Sequence, residues 1–511
     1  MRNVDARPAG QGGSRPGTIP LDFGGRTGFV VTHGLWSDRQ FADEAQLRRV
    51  MDELGVDLVR VCFTDQAGIL RGKTVPRAAL PGVLRAGVTL PSSLLLKDTS
   101  GRTTYPVFES LELAGYRGFS GAGDVVLVPD PSTFHVLPWS PRTAVVLGDL
   151  HYPDGRPVPF CTRGMLRRAL AELDGRGLAL TVGAELEFHA FAALDEQPGL
   201  GLSEGRVGRP GSPGEASLGA PLSPGSQLLH IDGLDRVDDL VAAIHEGLTL
   251  LDLPLRSIEL EFGPSQFEVT LDAGDAALVA DQVVLCRTAL KQLCRRRGVH
   301  ATFMSRPRGA EGASAGWHLH QSLSEPDGGR PVFPADEAGA TLSATGMAYL
   351  GGLLENAAAA TAFTTPTING YKRYQPDSLA PDRIGWGMDN RGAMVRVVGQ
   401  PNDPHAHVEN RSGDPAANPY LYILSQLVSG LDGVDRKTDP GASTDSPYRE
   451  ERPRLPRTLA DALDALAGSA VFRAALSDEV VDWYVHLKRA EFDRYLAEVS
   501  DWEQREYFDL L

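Results

Sequence analysis

Four separate segments of the chain place glutamate, histidine or arginine at alternate positions, the spacing that puts side chains on one face of a β-strand. A single pair of this kind is usually the solvated face of a half-buried sheet. Four such segments predict a shared face, and unpaired carboxylates on it would be costly to bury without cations. Oxygen ligands joined by one or two imidazoles favour Mg²⁺ or Mn²⁺ over thiolate-bound zinc. The acidic and imidazole residues with this spacing are Glu185, Glu187, Glu259, Glu261, Glu268, His318, His320 and Glu409.

Arginine is the second residue type that points to chemistry, because a guanidinium group matches carboxylate and phosphate oxygens two at a time. Each arginine alone is typical of a solvated surface. Four of them lie close in sequence to Glu409, so we expect at least two in the site: Arg373, Arg391, Arg396 and Arg411. Metals beside guanidinium groups suit phosphoryl transfer, in which charge neutralisation and alignment dominate. Since the sequence has neither a GxxxxGK[ST] loop nor a GxGxxG turn after a strand, metals and side chains would hold ATP.

Two domains must position these residues. The segment from Val56 to Val75 predicts two strands joined by a turn, which start a small sheet domain over residues 41–150. Period-two patterning from Leu178 onward belongs to a larger catalytic domain over residues 151–511. Residues 1–40 predict a flexible N-terminal extension and residues 194–227 a flexible insertion, because both are too rich in Gly, Pro and polar residues to support a packed core.

Bulk composition excludes several classes of protein. The 511 residues include 50 basic and 66 acidic side chains, a net charge of −16 that argues against nucleic-acid binding. The sequence lacks an apolar run of about eighteen residues and the basic-then-apolar order of a signal peptide, so we expect no membrane association. Its four cysteines form no CxxC pair, which fits a reducing compartment. We therefore expect a cytoplasmic protein.

The sequence from about Val56 to the C-terminus resembles the glutamine synthetase superfamily, and seven ordered motifs resemble the signatures of that family. The resemblance implies an α+β fold, with a small N-terminal β-grasp domain and a large glutamine synthetase-type catalytic domain whose antiparallel strands form a funnel. It also implies a homo-oligomer, a dodecamer of two stacked hexameric rings. The motifs are GAELEF, PSQFE, HATFMSRP, GWHLHQS, NGYKRYQPDSLAP, DNRG and ENRSGDPAANPYL.

The resemblance also implies a role for each candidate site residue. One metal would be held by Glu187, Glu261 and Glu268, and the nucleotide-bound metal by Glu185, His318 and Glu409. The implied catalytic residues are Arg373, Arg391 and Arg411. The implied ATP-binding residues are His320, Ser322, Arg391 and Arg396. The implied substrate-binding residues are Gly316, Arg373, Arg411 and Leu379.

Leu379 is the most informative departure from the family pattern. It stands where glutamine synthetases carry a glutamate that helps to hold and deprotonate ammonium, and leucine can do neither. An apolar wall suits the carbon skeleton of a larger amine, and relatives without this glutamate resemble γ-glutamyl-amine ligases. The loop that cradles glutamate in the family reads ASAG over residues 313–316, so the acyl donor is expected to be glutamate or a close analogue.

The predicted function is therefore an ATP-dependent ligase that forms a γ-glutamyl amide from glutamate and an amine through γ-glutamyl phosphate, with Mg²⁺ or Mn²⁺ as cofactor. Two alternatives stay open at this point. One is an ordinary glutamine synthetase that uses ammonium. The other is a catalytically inactive, ring-forming structural or regulatory protein.

Overall fold

The computed structural model of this chain describes residues 27–194, 208–212, 219–309, 312–335, 339–375 and 378–511. Its strands are β1 (Leu58–Thr64), β2 (Leu70–Pro76), β3 (Val88–Pro91), β4 (Asp124–Pro129), β5 (His135–Val136), β6 (Thr143–His151), β7 (Ala179–Ala193), β8 (Gly219–Pro221), β9 (Leu255–Leu260), β10 (Gln266–Asp275), β11 (Val299–Thr302), β12 (Trp317–Ser324), β13 (Trp386–Met388), β14 (Val395–Val398) and β15 (His407–Gly413).

The α-helices pack around two sheets that these strands form. They are α1 (Phe29–Thr32), α2 (Asp38–Glu53), α3 (Leu80–Ala86), α4 (Thr162–Asp174), α5 (Ile231–Asp235), α6 (Asp238–Leu250), α7 (Ala276–Arg295), α8 (Ala344–Glu355), α9 (Ala357–Thr364), α10 (Pro419–Arg436), α11 (Leu459–Ala467), α12 (Ala470–Leu476), α13 (Asp478–Leu496) and α14 (Asp501–Tyr507). Short 3₁₀ turns cover Arg77–Ala79, Ser92–Leu96, Arg117–Ala122, Pro131–Thr133 and Gly370–Arg373. Within the described ranges, no helix is both long and apolar enough to cross a membrane.

The N-terminal sheet has the strand order β2-β1-β6-β4-β3, and β5 also pairs with β6. β1 and β2 form the predicted hairpin, in which the Gly68 amide donates to the Asp65 carbonyl at 3.0 Å. Because β1 runs parallel to β6, the sheet is mixed, as a β-grasp domain requires. The predicted α+β class is confirmed.

Regular structure begins within the predicted N-terminal extension, whose residues 1–26 lie outside the described ranges. Val30 in α1 is buried, and Trp36 donates its indole N–H to the Pro129 carbonyl at 2.9 Å. α2 starts with a capping box, since the Gln40 amide donates to Ser37 Oγ while the Ser37 amide donates to the Gln40 side chain. Among the described residues, which begin at residue 27, regular structure therefore starts at Phe29, before residue 40.

The catalytic sheet has the order β13-β14-β15-β12-β7-β10-β9, with β8 and β11 also paired to β7. β7 is its centre, and alternate residues such as Val182, Ala184, Leu186 and Phe188 are buried. α4 and α7 pack against β7, and both contact α10. Glu185 and Glu187 lie on the opposite face of β7. Part of the predicted insertion lies outside the described residues, while its residues 219–221 form β8.

A buried ion cluster joins the two sheets. Arg163 on α4 contacts Asp130, which directly follows β4, at 2.9 Å and Asp149 on β6 at 3.1 Å. It also contacts Asp281 on α7 at 2.9 Å. Burial acts to raise the pKa of Asp130, but Arg163 and Arg167 outweigh it and hold that pKa at about 2. Removing one partner of such a cluster would leave an uncompensated buried charge. The predicted domain boundary near residue 150 lies in this connected region and stays a prediction.

Candidate active site

The register of the catalytic sheet brings glutamates and histidines from different strands side by side. Glu185 on β7 lies opposite His318 on β12, and Glu187 lies opposite Glu268 on β10. On the next strand pair, His320 lies opposite Glu409 on β15. Directly opposed residues in antiparallel strands have Cβ atoms about 5 Å apart, so these side chains form one continuous polar face.

Glu185 is the centre of this face, because each of its carboxylate oxygens meets a different imidazole. Oε2 lies 2.9 Å from His318 Nδ1, and Oε1 lies 3.0 Å from His320 Nε2. Ligand atoms that lie within 4.8 Å of one another form two sets that share this residue. The sets are Glu185, Glu268 and His318, and Glu185, His320 and Glu409.

Glu187 is held in one orientation by two donors. Its Oε2 accepts from the Gln266 amide group at 2.7 Å and from the Gly316 backbone N–H at 2.9 Å. Its other oxygen, Oε1, faces the centre of the polar face and lies 3.7 Å from His318 Nε2. Glu187 can therefore present one fixed oxygen to a cation while the other anchors it to β10 and to the residue that precedes β12.

The carboxylates divide into two electrostatic groups. Burial and the neighbouring Glu187 raise the pKa of Glu261 to about 7, and burial with Glu187, Glu185 and Glu261 raises the pKa of Glu268 well above its usual range. Burial also acts to raise the pKa of Glu185, but the hydrogen bonds to His318 and His320 outweigh it and hold that pKa well below its usual range. One side of the face thus has excess negative charge, which is what a divalent cation would neutralise.

Glu409 is fully buried and ionised between arginines. Arg396 contacts its Oε2 at 3.1 Å, and Arg411 contacts its Oε1. Although burial acts to raise the pKa of Glu409, His318 and Arg411 lower it. Arg396 also donates from Nε to Asp389 at 2.9 Å. The arginines therefore lie beside the predicted cation ligands, as their sequence proximity indicated.

Arg373 is a buried cation held by backbone. Its Nη1 donates to the carbonyl of Ser412 at 3.1 Å and to that of Gly413, while its Nε has no hydrogen-bond partner among the described residues. A Cβ atom added to Gly316 would lie 2.5 Å from its Nη2 and 3.6 Å from Glu187 Oε1. Arg373 thus reaches the Glu187 side of the face.

Three predicted site residues lie further out. Ser322 follows His320 by two positions on β12 and is half-buried, whereas the side chains of Arg391 and Leu379 are exposed. Arg391 takes part through its backbone, because its carbonyl accepts from Arg411 Nε at 3.0 Å. The individual roles of all these residues stay predictions.

Three residues that contact the site were not among the predicted site residues. Gln266 orients Glu187, Asp389 pairs with Arg396, and the His407 ring nitrogen lies 2.9 Å from His320 Nδ1. The spacing of Gln266 two residues before Glu268 was a usable signal. Asp389 and His407 were each two residues from a predicted site residue.

Comparison with known proteins identifies the family. The sequence pattern described as "Glutamine synthetase, catalytic domain" matches residues 159–507. The chain belongs to the glutamine synthetase family. Membership makes it a carbon–nitrogen ligase, and the ligases of this family use ATP and divalent metal ions.

Its glutamine synthetase-type relatives match over nearly their whole length. γ-Glutamylanilide synthase of Acinetobacter sp. is 41% identical over 499 residues, covering 94% of this chain and 99% of the relative. γ-Glutamylethanolamide synthetase of Streptomyces coelicolor is 32% identical over 460 residues, which cover 89% of this chain and 93% of the relative. The solved structure of GmaS in complex with ADP superposes with a TM-score of 0.75 at 28% identity, covering 91% of this chain and 99% of that chain.

The pKa shifts lead to a prediction about metal and pH. The unfolded pKa of glutamate is about 4.3, so without metal the folded protein loses stability as pH rises from that value through the raised pKa of Glu261, about 7. A bound divalent cation offsets this loss. We expect Mg²⁺ to raise the melting temperature more at pH 8 than at pH 5.5, and to release protons on binding when calorimetry is run in buffers of different ionisation enthalpy.

Glu261→Gln should weaken this pH dependence, because it removes one of the two carboxyl groups with raised pKa. Glu246→Gln, an exposed change on α6, is the matched control and should leave it unaltered. A thermal gain from Mg²⁺ that is equal at both pH values, without proton release, would contradict the prediction.

Proposed function

We propose that the protein joins an acid, glutamate or a close analogue, to an amine in an ATP-dependent reaction that gives a γ-glutamyl amide, ADP and phosphate. The observation that carries the proposal is the sheet face on which Glu185, His318, Glu268 and Glu409 meet. The similarity of this chain to γ-glutamylanilide synthase, which covers 94% of this chain and 99% of the relative, also supports the proposal. A structure of the related GmaS with ADP supports the nucleotide.

Mg²⁺ or Mn²⁺ bound by the six predicted ligands would neutralise phosphate charge and align the nucleotide with the acid. Arg373 and Arg411 are proposed to hold the acid by its carboxylates, and Arg396 with Arg391 to face the phosphates. The side-chain carboxylate of the acid attacks the terminal phosphorus of ATP, the bond to ADP breaks, and γ-glutamyl phosphate forms. The neutral amine then attacks the acyl carbon, phosphate leaves, and the amine loses a proton.

The acceptor is proposed to be an amine with an apolar skeleton rather than ammonium. Leu379 is 54% exposed and follows Arg373 by six residues, so its side chain is open to contact by a substrate. The hydroxyl of Tyr448 donates to the Ser378 carbonyl and fixes the backbone next to Leu379. A leucine here can contact carbon but cannot bind a cation.

An amine panel tests the proposed function directly. Phosphate release with ATP, Mg²⁺ and glutamate should be fastest with aniline, an alkylamine or ethanolamine, and the corresponding γ-glutamyl amide should be found by mass spectrometry. Fastest turnover with ammonium would refute the specialised acceptor and favour an ordinary glutamine synthetase. Absence of turnover and of metal-dependent ATP binding would favour an inactive ring-forming protein.

Leu379→Glu is expected to raise the ratio of ammonium use to amine use by about tenfold. A hydrogen bond to a charged group contributes about 1.5–3 kcal/mol, and about 1.4 kcal/mol corresponds to a factor of ten. Competition between ammonium and the preferred amine measures the ratio. Leu250→Glu is the matched control because Leu250 is 60% exposed at the end of α6, and an unchanged ratio in Leu379→Glu would show that this position does not govern acceptor choice.

Assembly into a dodecamer of two hexameric rings and action in the cytoplasm are also proposed. Support for assembly comes from the C-terminal segment, where Val499, Trp502, Phe508 and Leu511 are exposed apolar side chains in the single chain. Light scattering should give the mass of twelve chains. The reducing compartment is supported by four cysteines that are all free and buried.

A further inference from the structure

The strand β15 carries one residue more than its neighbour β12 shortly before its end. Leu319 on β12 pairs with Asn410 on β15. Trp317, two positions earlier on β12, pairs with Gly413, three positions later on β15. The extra residue between Asn410 and Gly413 is a β-bulge, which disrupts the ladder locally and bends the strand. Backbone groups inside the bulge, those of Ser412 above all, are therefore available to partners outside the two strands.

The side chain of Asn410 accounts for the bulge. Its Oδ1 accepts from the Ser412 backbone N–H at 2.9 Å and from the Ser412 hydroxyl at 2.8 Å. An asparagine that binds the backbone two residues further on mimics a turn, and here it takes the Ser412 N–H out of the ladder. The amide group is held in this orientation by Gln426 on α10, whose Oε1 accepts from Asn410 Nδ2 at 2.7 Å. Since Asn410 is only 4% exposed, bulk water does not compete for these bonds.

The carbonyl groups of the bulge hold Arg373. Arg373 Nη1 donates to the Ser412 carbonyl at 3.1 Å and also to the Gly413 carbonyl. The Ser412 carbonyl accepts in addition from the hydroxyl of Tyr374 at 3.0 Å and from that of Thr365 at 3.2 Å. One carbonyl of the bulge thus binds the guanidinium group, the residue after it and a residue from the end of α9. Arg373 has a fixed position because the bulge supplies these acceptors.

We propose that Asn410 is the positioning residue for Arg373, because its side chain builds the bulge whose carbonyls hold the guanidinium group. Asn410 lies on the α10 side of β15, opposite to Glu409 and Arg411, as the two-residue period of a strand requires. It therefore acts through Arg373 without contact with a substrate. The inference rests on the proposed function for the role of Arg373, and it adds a determinant of acid affinity outside the polar face.

Asn410→Leu tests the inference, because leucine is close to asparagine in size but has no acceptor for the Ser412 N–H. In a crystal structure of this variant, Arg373 should lose its contacts with the two carbonyls. The KM for the acid should rise by about 10–100-fold, since a misplacement of about 1 Å can cost about 100-fold, while the KM for ATP stays within a few-fold. Asn410→Ser should have a smaller effect, because a serine hydroxyl can accept from the same N–H more weakly.

Two comparisons separate positioning from a general loss of stability. Asn356→Leu removes another buried asparagine, whose Nδ2 donates to the Gly352 carbonyl at 3.2 Å and to Asp432 at 3.0 Å. It should lower the melting temperature and leave both KM values unchanged. In the Arg373→Lys background, Asn410→Leu should raise the KM for the acid little further, because both changes act on the same group.

The inference is overturned if Arg373 keeps both carbonyl contacts in the crystal structure of Asn410→Leu, or if Asn410→Ser raises the KM for the acid as much as Asn410→Leu does. Asn410→Ala, which also lacks the acceptor, takes the place of the leucine variant if that variant does not fold. A displaced Arg373 with an unchanged KM for the acid would overturn only the role that the proposed function gives to Arg373. Failure of the amine panel would likewise leave the crystallographic result intact.

Discussion

Glu187→Gln is expected to lower kcat/KM for amide formation by about 10³-fold while the oligomer stays intact. The substitution keeps the shape of the side chain but removes the negative charge of the oxygen that faces the centre of the site, 3.7 Å from His318 Nε2. Charge stabilisation by a catalytic metal ion is worth several kcal/mol, and each 1.4 kcal/mol or so is a factor of ten in rate. Phosphate release with saturating ATP and the preferred amine measures the loss.

A glutamate remote from the sheet face provides the comparison for this experiment. Glu172→Gln changes the same functional group on the exposed side of α4 and should keep full activity. Light scattering and thermal melting establish that both variants fold and assemble. Activity of Glu187→Gln within a few-fold of the unaltered protein would remove Glu187 from the predicted ligand set.

Gly316→Ala is expected to lower kcat/KM by about 100-fold through displacement of Arg373. The added Cβ would lie 2.5 Å from Arg373 Nη2, closer than nonbonded atoms can approach. The guanidinium group cannot move freely, because its Nη1 is bound to the carbonyls of Ser412 and Gly413 and the side chain is only 2% exposed. A misplacement of about 1 Å at a group that positions substrate can cost about 100-fold in rate.

The matched control for this change is Gly274→Ala on β10, where an added Cβ would have its nearest neighbour at 3.6 Å, an ordinary contact. It should leave activity within a few-fold. The KM for the acid should rise in Gly316→Ala, because Arg373 is proposed to bind the acid, whereas the KM for ATP should change less. Unchanged KM and kcat would show that Arg373 takes no part in binding the acid.

Local patterns in the sequence predicted several of the secondary-structure elements. The hairpin near Asp65 and the long strand after Leu178 are confirmed as β1–β2 and β7, because turn chemistry and apolar periodicity act over a few residues. Leu379 was singled out by its departure from a motif, yet its exposure and the hydrogen bond from Tyr448 to the neighbouring Ser378 carbonyl came from the structure.

The amino-acid sequence alone determined which side chains share a face of their own strand, as Glu185 with Glu187 and His318 with His320, since the period of a β-strand is local. Only the tertiary structure decided which strands are neighbours and in what register, because pairing depends on contacts between distant segments. That register places Glu185 between two imidazoles and joins His407 to His320 across 87 positions of the chain. The residue types were therefore visible in the sequence, whereas their grouping around Glu185 is a property of the folded sheet.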